Sequence, residues 1–370
     1  MRREKILRKA LIIEEFTRLG GGQIAFRGIL ESLRSVHGDN VDILTSKSHP
    51  FLKDINSRLR EVDYVYREGI NPISMMSTIW RVRRQLNRII PMSHYDFVLN
   101  NHPTTFLYSG DINYLHAVSM VDNLIDHDGN VISQIPFTLV SKLGLYKIYG
   151  GSVIVVPSSY SKRIATKIFR KMNVFPRRID VINPPVDIPQ HINNEGARKR
   201  RVLYLGRINR EKGVENVLEI ARMKGGTEFI VAGAVNTGDD AYYGELRRTA
   251  PPNVTFYSNI TEDTKAKLMT ESAVQLHIRK KEAFPLSVIE GMSCGCIPVV
   301  PKFGGSWEDI INEGEFGFGF TSPEEAIQSI DEAFEISHEQ RSNIIMRGNS
   351  FSTGEFKKRF LNYLDDFGHS

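Results

Sequence analysis

Short apolar runs alternate with longer amphipathic segments along this chain, and this alternation restricts its fold more than any other feature. In the first half the apolar runs cover residues 10–13, 41–44, 97–99, 114–118 and 153–156. Helical periodicity fills the gaps, most clearly over 23–37 and 159–169. Short apolar runs that are separated by helices predict parallel strands with helices on both faces of the sheet. The first half therefore predicts a Rossmann-like α/β domain.

The same alternation starts again after a proline-rich break. The segment Asn183-Pro184-Pro185-Val186-Asp187-Ile188-Pro189 holds three prolines, which neither a helix nor a central strand tolerates. We predict a domain over 1–182, a linker over 183–200 and a second Rossmann-like domain over 201–350. A C-terminal helix over 351–370 is a candidate for crossing back to the first domain. The second domain has predicted strands at 201–205, 229–232, 254–257, 274–278 and 297–300, and predicted helices at 214–223, 261–272, 285–292, 321–335 and 339–366.

The charge of the chain is distributed unevenly. Residues 1–182 hold 26 basic and 16 acidic residues, whereas the remainder holds 22 basic and 27 acidic residues. A basic first half indicates an anionic partner, such as a membrane surface or a phosphate-bearing acceptor. No nucleic-acid-binding motif accompanies it, so nucleic acid is not expected.

Targeting signals and cysteines point to a cytoplasmic protein. The charged N-terminus leads into an apolar run that is too short for a secretory signal, and no stretch approaches the ~20 apolar residues of a membrane span. Cys294 and Cys296 have neither zinc-ligand nor redox-pair spacing. We expect both thiols to be reduced and buried.

Two charged elements follow predicted strands of the second half. Arg207 and Lys212 come directly after the run 201–205, where the carboxyl ends of parallel strands bind ligands. Two cations at that edge can neutralise a diphosphate. Glu282 and Glu290 flank the start of a predicted helix at Phe284-Pro285-Leu286, whose free amides can bind an anion. The alternative is that these are ordinary solvated side chains.

Two weaker elements lie in the first half. Gly20-Gly21-Gly22-Gln23 opens the first long helix, and glycine permits close approach of a ligand, although a simple turn explains it equally well. The spacing is not that of a dinucleotide-binding fingerprint. His116 follows an apolar run, where a structural role is the more common one.

Taken together, these elements resemble the GT-B family of retaining glycosyltransferases, most strongly over 200–320. The resemblance implies two Rossmann-like domains that face each other across a cleft, the first binding the acceptor and the second a nucleotide sugar. It implies that Arg207 and Lys212 bind the donor diphosphate, Glu290 binds the ribose and Glu282 contacts the donor sugar. It further implies that Gly21 and Gly22 lie over the diphosphate and that His116 contacts the sugar. The site residues implied are Glu282 and His116 as catalytic groups, and Gly21, Gly22, Arg207, Lys212, Phe284, Pro285, Leu286 and Glu290 as donor-binding groups. Ala283 stands where the family commonly has glycine.

A narrower resemblance concerns the sugar. Leu276-His277, Tyr114-Leu115-His116 and the segment 183–187 are similar to the cytosolic mannosyltransferases that extend dolichol-linked oligosaccharides. This implies a hexose donor, with GDP-mannose favoured, and a glycan or lipid-linked acceptor. The base, the sugar and the linkage stay open.

The same resemblance implies retention. No metal or cofactor is expected if the two cations and the helix start suffice to stabilise the leaving diphosphate. The only Asp-x-Asp sequence, Asp126-His127-Asp128, is interpreted as solvated surface. The alternatives are a nucleotide-sugar epimerase of the same architecture and a non-catalytic nucleotide-sugar-binding protein. A nicotinamide-dependent oxidoreductase is disfavoured because its glycine fingerprint is missing.

The segment 80–90 predicts an amphipathic helix with Trp80, Leu86, Ile89 and Ile90 among the arginines 81, 83, 84 and 88. Such a helix can lie in a bilayer interface with its apolar side down. The alternative is a helix of the first domain that is packed on its apolar side. The basic first half favours peripheral membrane binding.

Overall fold

The computed structural model of this protein describes residues 9–14, 21–45, 57–62, 72–92, 95–103, 106–116, 145–188 and 198–368. Asp126-His127-Asp128 and Gly20 lie outside the described residues, as do residues 189–197 of the predicted linker. The chain divides into two compact units, Met1–Pro185 with Thr353–Ser370, and Val186–Ser352. None of the described helices is long and apolar enough to cross a membrane.

The first unit is built on a parallel sheet of seven described strands in the order β3-β2-β1-β4-β5-β6-β7. The strands are β1 (Ala10–Ile13), β2 (Val41–Thr45), β3 (Leu59–Glu61), β4 (Phe97–Asn100), β5 (Ile112–Tyr114), β6 (Val153–Val156) and β7 (Arg178–Val181). The helices are α1 (Gly21–His37), α2 (Pro72–Met92), α3 (Ser159–Lys171) and α10 (Thr353–Gly368). Because the order reverses between β1 and β4, the carboxyl ends of these two strands mark the switch point where open α/β sheets bind ligands.

Helix α10 is part of the first unit because its aromatic face packs on α1. Phe356 and Phe360 are fully buried and join Phe26 and Ile29 in one core cluster. Gly28 makes this close approach feasible, since a Cβ atom there would lie 2.8 Å from the ring of Phe356. The aromatic residues of the C-terminal segment therefore complete the core of the N-terminal sheet.

Helix α2 corrects the predicted membrane-facing helix. Its apolar side faces the interior, because Leu86 and Ile90 are buried in a cluster with Val82 and strand residues. Trp80 is the exception, with 62% of its surface exposed. The periodicity of this segment is therefore that of a packed helix of the first unit with an arginine-rich solvent face, and its apolar side is not available to a bilayer.

A second correction concerns the strand predicted over 114–118. Strand β5 begins at Ile112 and ends at Tyr114, so His116 lies two residues beyond its carboxyl end. The polar residue Asn113 obscured the start of the strand in the sequence. Its side chain bonds to the carbonyl groups of Gly110 and Val153, which allows it to be buried.

The second unit has a parallel sheet of six described strands in the order β10-β9-β8-β11-β12-β13. The strands are β8 (Lys199–Leu205), β9 (Glu228–Gly233), β10 (Val254–Ser258), β11 (Ser272–Leu276), β12 (Ile297–Pro301) and β13 (Phe318–Phe320). The helices are α4 (Glu215–Met223), α5 (Asp240–Thr249), α6 (Glu262–Glu271), α7 (Leu286–Ser293), α8 (Pro323–Phe334) and α9 (His338–Asn349). Its first and fourth strands, β8 and β11, form the switch point of this sheet. Each strand predicted in this half is present within two residues of its expected ends.

The helix predicted over 339–366 is divided, and this is the third correction. Helix α9 ends at Asn349 and α10 begins at Thr353. Between them Phe351 accepts a hydrogen bond from the backbone of Val186, and Ser352 forms a parallel bridge with the same residue. Polar periodicity continues through the break, so the sequence alone did not reveal it.

The two cysteines have the expected environment. Cys294 and Cys296 are buried free thiols at the end of α7 and the start of β12. Burial raises the pKa of both, so the neutral thiols are favoured.

Candidate functional site

The carboxyl edge of the second sheet carries the charged residues that the sequence singled out. Gly206 follows β8 and His277 follows the adjacent β11. The chain turns tightly at this edge, since a Cβ atom on Gly233 of β9 would lie 1.7 Å from the carbonyl oxygen of Gly206. Only glycine at position 233 permits this contact, which fixes the direction in which the chain leaves β8.

A short 3-10 turn positions Lys212. The side chain of Asn209 accepts a hydrogen bond from the Lys212 backbone at 3.1 Å and caps this turn. The turn ends at Gly213, whose φ of 64° lies in the left-handed region that favours glycine. The Nζ atom of Lys212 then lies 2.5 Å from Oε1 of Glu282. Asn209 and Gly213 therefore hold the turn in a conformation that places the ammonium group of Lys212 at the sheet edge.

Glu282 is the acceptor at the centre of this cluster. Its second oxygen, Oε2, lies 3.5 Å from Nε2 of His277. Burial raises the pKa of Glu282, but Lys212, His277 and Arg279 lower it more, so its pKa is below the usual value. Burial lowers the pKa of His277 to about 4 although Glu282 acts in the opposite direction. At neutral pH the cluster is therefore an ionised carboxylate between an ammonium group and a neutral imidazole.

The segment that carries Glu282 is held by its backbone. The carbonyl oxygen of Glu282 accepts a hydrogen bond from Gly305 at 3.0 Å. The preceding Gly304 has a φ of 83°, and a Cβ atom there would lie 2.5 Å from the carbonyl oxygen of Lys280. Gly304 and Gly305 were not recognised in the sequence, because nothing in their spacing links them to a carboxylate more than twenty positions earlier.

Arg207 has a different environment from Lys212. Its guanidinium group is half-exposed and lies 3.9 Å from Glu211, which also pairs with Arg279 at 2.8 Å. The backbone carbonyl of Arg207 accepts a hydrogen bond from the Tyr204 hydroxyl, which anchors the main chain but leaves the side chain in solvent. Arg207 is thus positioned at the edge by its backbone and can reorient towards an anion.

Helix α7 begins close to where the sequence predicted. Pro285 is its N-cap residue and Leu286 its first helical residue. Phe284 is buried and its ring packs edge-on against Phe351, with ring centroids 5.5 Å apart. The first amides of a helix have no carbonyl partner within it, which makes this end suitable for an anion, although the Val288 amide already donates to the carbonyl of Pro285 at 3.1 Å.

Glu290 lies in α7 among buried neighbours, as its apolar context indicated. Its Oε1 atom lies 3.3 Å from Nζ of Lys265 in α6, which also contacts Glu262 at 2.6 Å. Burial raises the pKa of Glu290, and Lys265 offsets only part of the rise. Lys265 is a residue that the sequence analysis missed, because its partner is 25 positions away on another helix.

The first unit contains the other predicted residues. Gly21 and Gly22 form the first turn of α1. His116 lies beyond β5, with its ring stacked on Tyr114 at a centroid distance of 4.1 Å. Its Nε2 atom lies 2.8 Å from Oδ1 of Asn101, a residue that directly follows β4. The structure therefore links His116 to the switch point of the first sheet.

The structure thus brings Lys212, Glu282 and His277 together, and it places Glu290 beside Lys265. It keeps Arg207 near the same edge but paired with Glu211 instead of Glu282. The roles of these side chains in donor binding and catalysis stay predictions.

Comparisons with known proteins agree with this architecture. Residues 187–351 match the model of the family described as glycosyl transferases group 1. The GDP-Man:Man(3)GlcNAc(2)-PP-Dol alpha-1,2-mannosyltransferase of Dictyostelium discoideum is 24% identical over 268 residues, covering 63% of this chain and 52% of that protein. The chain therefore spans about half the length of this curated relative.

Two solved structures show the same fold along the whole chain. The Anabaena protein HepE in complex with UDP has a TM-score of 0.71 and 15% identity, covering 97% of this chain and 100% of that one. The sucrose-phosphate synthase of Thermosynechococcus elongatus has a TM-score of 0.72 and 14% identity, covering 98% of this chain and 100% of that one. The fold is GT-B, and the resemblance of the sequence to the GT-B glycosyltransferases is confirmed.

Proposed function

We propose that this chain transfers a hexose from a nucleoside diphosphate hexose to a glycan or lipid-linked acceptor. Its fold is GT-B, and its second unit matches the group 1 glycosyl transferases. The contact of 2.5 Å between Lys212 and the partly buried Glu282 is the observation that carries the proposal. It holds one positive and one negative group, both largely shielded from solvent, at the sheet edge where ligands of this fold class bind.

The donor diphosphate is an anion that the positive groups at this edge can bind. Lys212 contributes a point charge, Arg207 a guanidinium fork, and the first turn of α7 a set of oriented amides. When the bond between the anomeric carbon and the phosphate oxygen breaks, its electron pair stays on the diphosphate. Preorganised cations at that oxygen stabilise the developing charge more than they stabilise the intact donor. These groups supply the electrostatic stabilisation without a bound metal or cofactor.

Glu282 and Glu290 are proposed to bind the uncharged parts of the donor. Glu290 lies in a buried helix and can accept hydrogen bonds from the ribose hydroxyls once Lys265 moves aside. Glu282 is proposed to accept hydrogen bonds from hydroxyls of the hexose, and the resemblance of the sequence is the support for a sugar contact of His116. Gly21 and Gly22 are proposed to approach the diphosphate through their backbone amides.

Transfer is proposed to proceed with retention of the anomeric configuration. The acceptor hydroxyl oxygen bonds to the anomeric carbon on the face that the diphosphate leaves, and the hydroxyl proton passes to the leaving phosphate oxygen. The support for retention is the resemblance of the sequence to the retaining GT-B enzymes. The mannose preference and GDP as the nucleotide are supported by the Dictyostelium relative, whose name specifies GDP-mannose.

Incubation with radiolabelled nucleoside diphosphate hexoses tests the proposal. We expect label to enter a lipid-linked or glycan acceptor fraction only when that acceptor is present, with the α-linkage of an α-configured donor preserved. Conversion of the donor to its epimer without acceptor would identify a nucleotide-sugar epimerase instead. Tight donor binding without turnover in the presence of diverse acceptors would identify a non-catalytic binding protein.

A peripheral location on an anionic, cytoplasmic membrane face is proposed for the first unit. The support is electrostatic attraction to anionic lipids, not insertion of apolar side chains into the bilayer. Helix α3 carries five basic and no acidic residues, and Lys162, Lys167 and Arg170 lie exposed on one face. Arg81, Arg84 and Arg88 are exposed on α2. Sedimentation with phosphatidylserine vesicles at low salt tests it. Binding that persists when both sets are replaced by glutamine would contradict it.

A further inference from the structure

The switch point of the first sheet contains a hydrogen-bonded chain that the proposed function does not explain. Glu14 and Asn101 are the residues that directly follow the adjacent strands β1 and β4. Both are completely buried. Their backbones are fixed to the sheet, since Glu14 donates to the carbonyl of Leu44 and Asn101 to that of Ile13, each at 2.9 Å.

Glu14 is bonded to Asn101 through one of its oxygens. Oε2 accepts a hydrogen bond from Nδ2 of Asn101 at 2.6 Å, and Oε1 lies at ion-pair distance, 2.7 Å, from Nε2 of His102. A carboxylate can only accept hydrogen bonds, so an ionised Glu14 requires the amino group of Asn101 to point towards it. This contact determines which way the Asn101 amide is turned, a choice that the shape of an amide alone leaves open.

The orientation of Asn101 then determines the tautomer of His116. With Nδ2 directed at Glu14, the carbonyl oxygen Oδ1 of Asn101 faces Nε2 of His116 at 2.8 Å. A carbonyl oxygen cannot donate, so Nε2 must carry the proton. In a neutral imidazole the other nitrogen, Nδ1, then carries a lone pair and acts as an acceptor.

The surroundings keep the ring neutral and fix its plane. Burial lowers the pKa of His116 to about 3, and the nearby His102 adds to this effect. The stacked ring of Tyr114 sets the plane of the imidazole, and the Tyr114 hydroxyl is itself held by the carbonyl of Ile182 at 2.5 Å.

We propose that Glu14 and Asn101 are positioning residues that hold His116 as the Nε2-protonated tautomer, so that Nδ1 accepts a hydrogen bond from a hydroxyl group of the donor hexose. This rests on the proposed function for the identity of the ligand but not for the tautomer. The substrate class that follows is a hexose with a free hydroxyl at the contacted position. A deoxy or O-methylated sugar at that position lacks the proton that Nδ1 accepts and leaves this acceptor unpaired.

The tautomer is measurable in the protein without any ligand. Two-bond ¹H–¹⁵N correlation spectra distinguish a protonated Nε2 from a protonated Nδ1, and the signals of His116 are assigned by their loss in His116→Phe. We expect wild-type His116 to show protonated Nε2 and unprotonated Nδ1 at pH 7. The exposed His338 in the same spectrum serves as the internal reference for an unrestrained imidazole.

Two variants separate positioning from simple support of the fold. In Glu14→Gln the Asn101 amide can turn either way, so we expect His116 to become a mixture of tautomers. In Asn101→Leu the acceptor is absent, and the Nε2 proton should exchange with solvent at least about tenfold faster. Asp42→Asn is the matched control, since Asp42 is also a buried carboxylate of this sheet with several partners. It should lower stability without altering the His116 signals.

The outcomes distinguish this inference from the proposed function. A protonated Nδ1 in the wild type, or an Nε2 signal that is unchanged in Asn101→Leu, would overturn it whatever the protein catalyses.

Equilibrium binding of monodeoxy nucleotide hexoses then tests the ligand. In the wild type, one deoxy analogue should bind more weakly than its parent sugar nucleotide. In His116→Phe, the same analogue and its parent should bind with equal affinity. If the wild type bound every deoxy analogue as tightly as its parent, the hydroxyl contact would be excluded.

Discussion

The two sheets place different chemistry at the same topological position, the carboxyl edge between their first and fourth strands. In the second sheet this edge holds charged groups, with Lys212 and Arg279 close to Glu282 and Glu211. In the first sheet it holds a buried hydrogen-bonded chain that ends in the neutral imidazole of His116. The contrast teaches that one fold can hold two kinds of chemistry at the same edge: cations are suited to the proposed diphosphate, whereas an oriented neutral acceptor is suited to a hydroxyl group.

Removing the ammonium group of the second edge should have the largest effect. In Lys212→Met we expect donor turnover to fall about 10²- to 10³-fold, since a preorganised contact to the developing charge is lost, at a cost of about 3–4 kcal/mol. Lys224→Met is the matched control, because Lys224 is also a largely buried lysine of this unit, paired with Asp331 at 2.6 Å. Steady-state kinetics on both variants, with melting temperatures to verify folding, make the comparison. Equal turnover in Lys212→Met and the control would remove the main support for the site.

Acid should destabilise the charged edge over a defined range. The folded pKa of His277 is about 4 against an ordinary 6.5, so the unfolded chain binds its proton first as the pH falls. The stability that neutral His277 contributes is complete above pH 6.5 and is lost as the pH falls towards 4, by about 3 kcal/mol. Urea unfolding at several pH values should show a shallower loss in His277→Gln. The same slope in variant and wild type would contradict this assignment.

The two glutamates should separate binding from transfer. Glu290→Gln should weaken binding of the free nucleoside diphosphate about 10- to 100-fold, the value of hydrogen bonds to a charged acceptor. Glu282→Gln should bind the free nucleotide nearly as well and instead lower the rate of sugar transfer. Fluorescence or calorimetric titrations, combined with single-turnover rates, resolve the two effects. Unchanged nucleotide affinity in Glu290→Gln would exclude the ribose role.

Much of the fold was predictable because it depends on local patterns. The apolar runs that became β1, β6, β8 and β12 are buried completely or nearly so, and buried parallel strands read as continuous apolar sequence. The short strands β3 and β7 were missed because their residues are mixed in polarity and not buried, and β13 was missed because it has only three residues. The apolar side of α2 was misassigned since periodicity shows that one face is apolar but not what covers it.

The candidate site was predictable to the extent that its residues adjoin strand ends. Arg207 lies two residues after β8, Lys212 lies in the turn that comes next, and Glu290 lies in a helix whose start is marked by proline. Lys265, Gly304 and Asn101 were not predictable, because each acts through a contact with a residue far along the chain. Such contacts depend on packing between elements, which no local pattern contains.

Titration calorimetry with UDP, GDP and ADP, each beside its free nucleoside, tests the central claim most directly. We predict that one diphosphate binds the wild type at least about 100-fold more tightly than its nucleoside, since the diphosphate contacts are charge-assisted. The difference should shrink strongly in Lys212→Met and persist in Lys224→Met. Equal affinity for nucleoside and diphosphate, or the same diphosphate advantage in Lys212→Met as in the wild type, would contradict a diphosphate site at the edge of the second sheet.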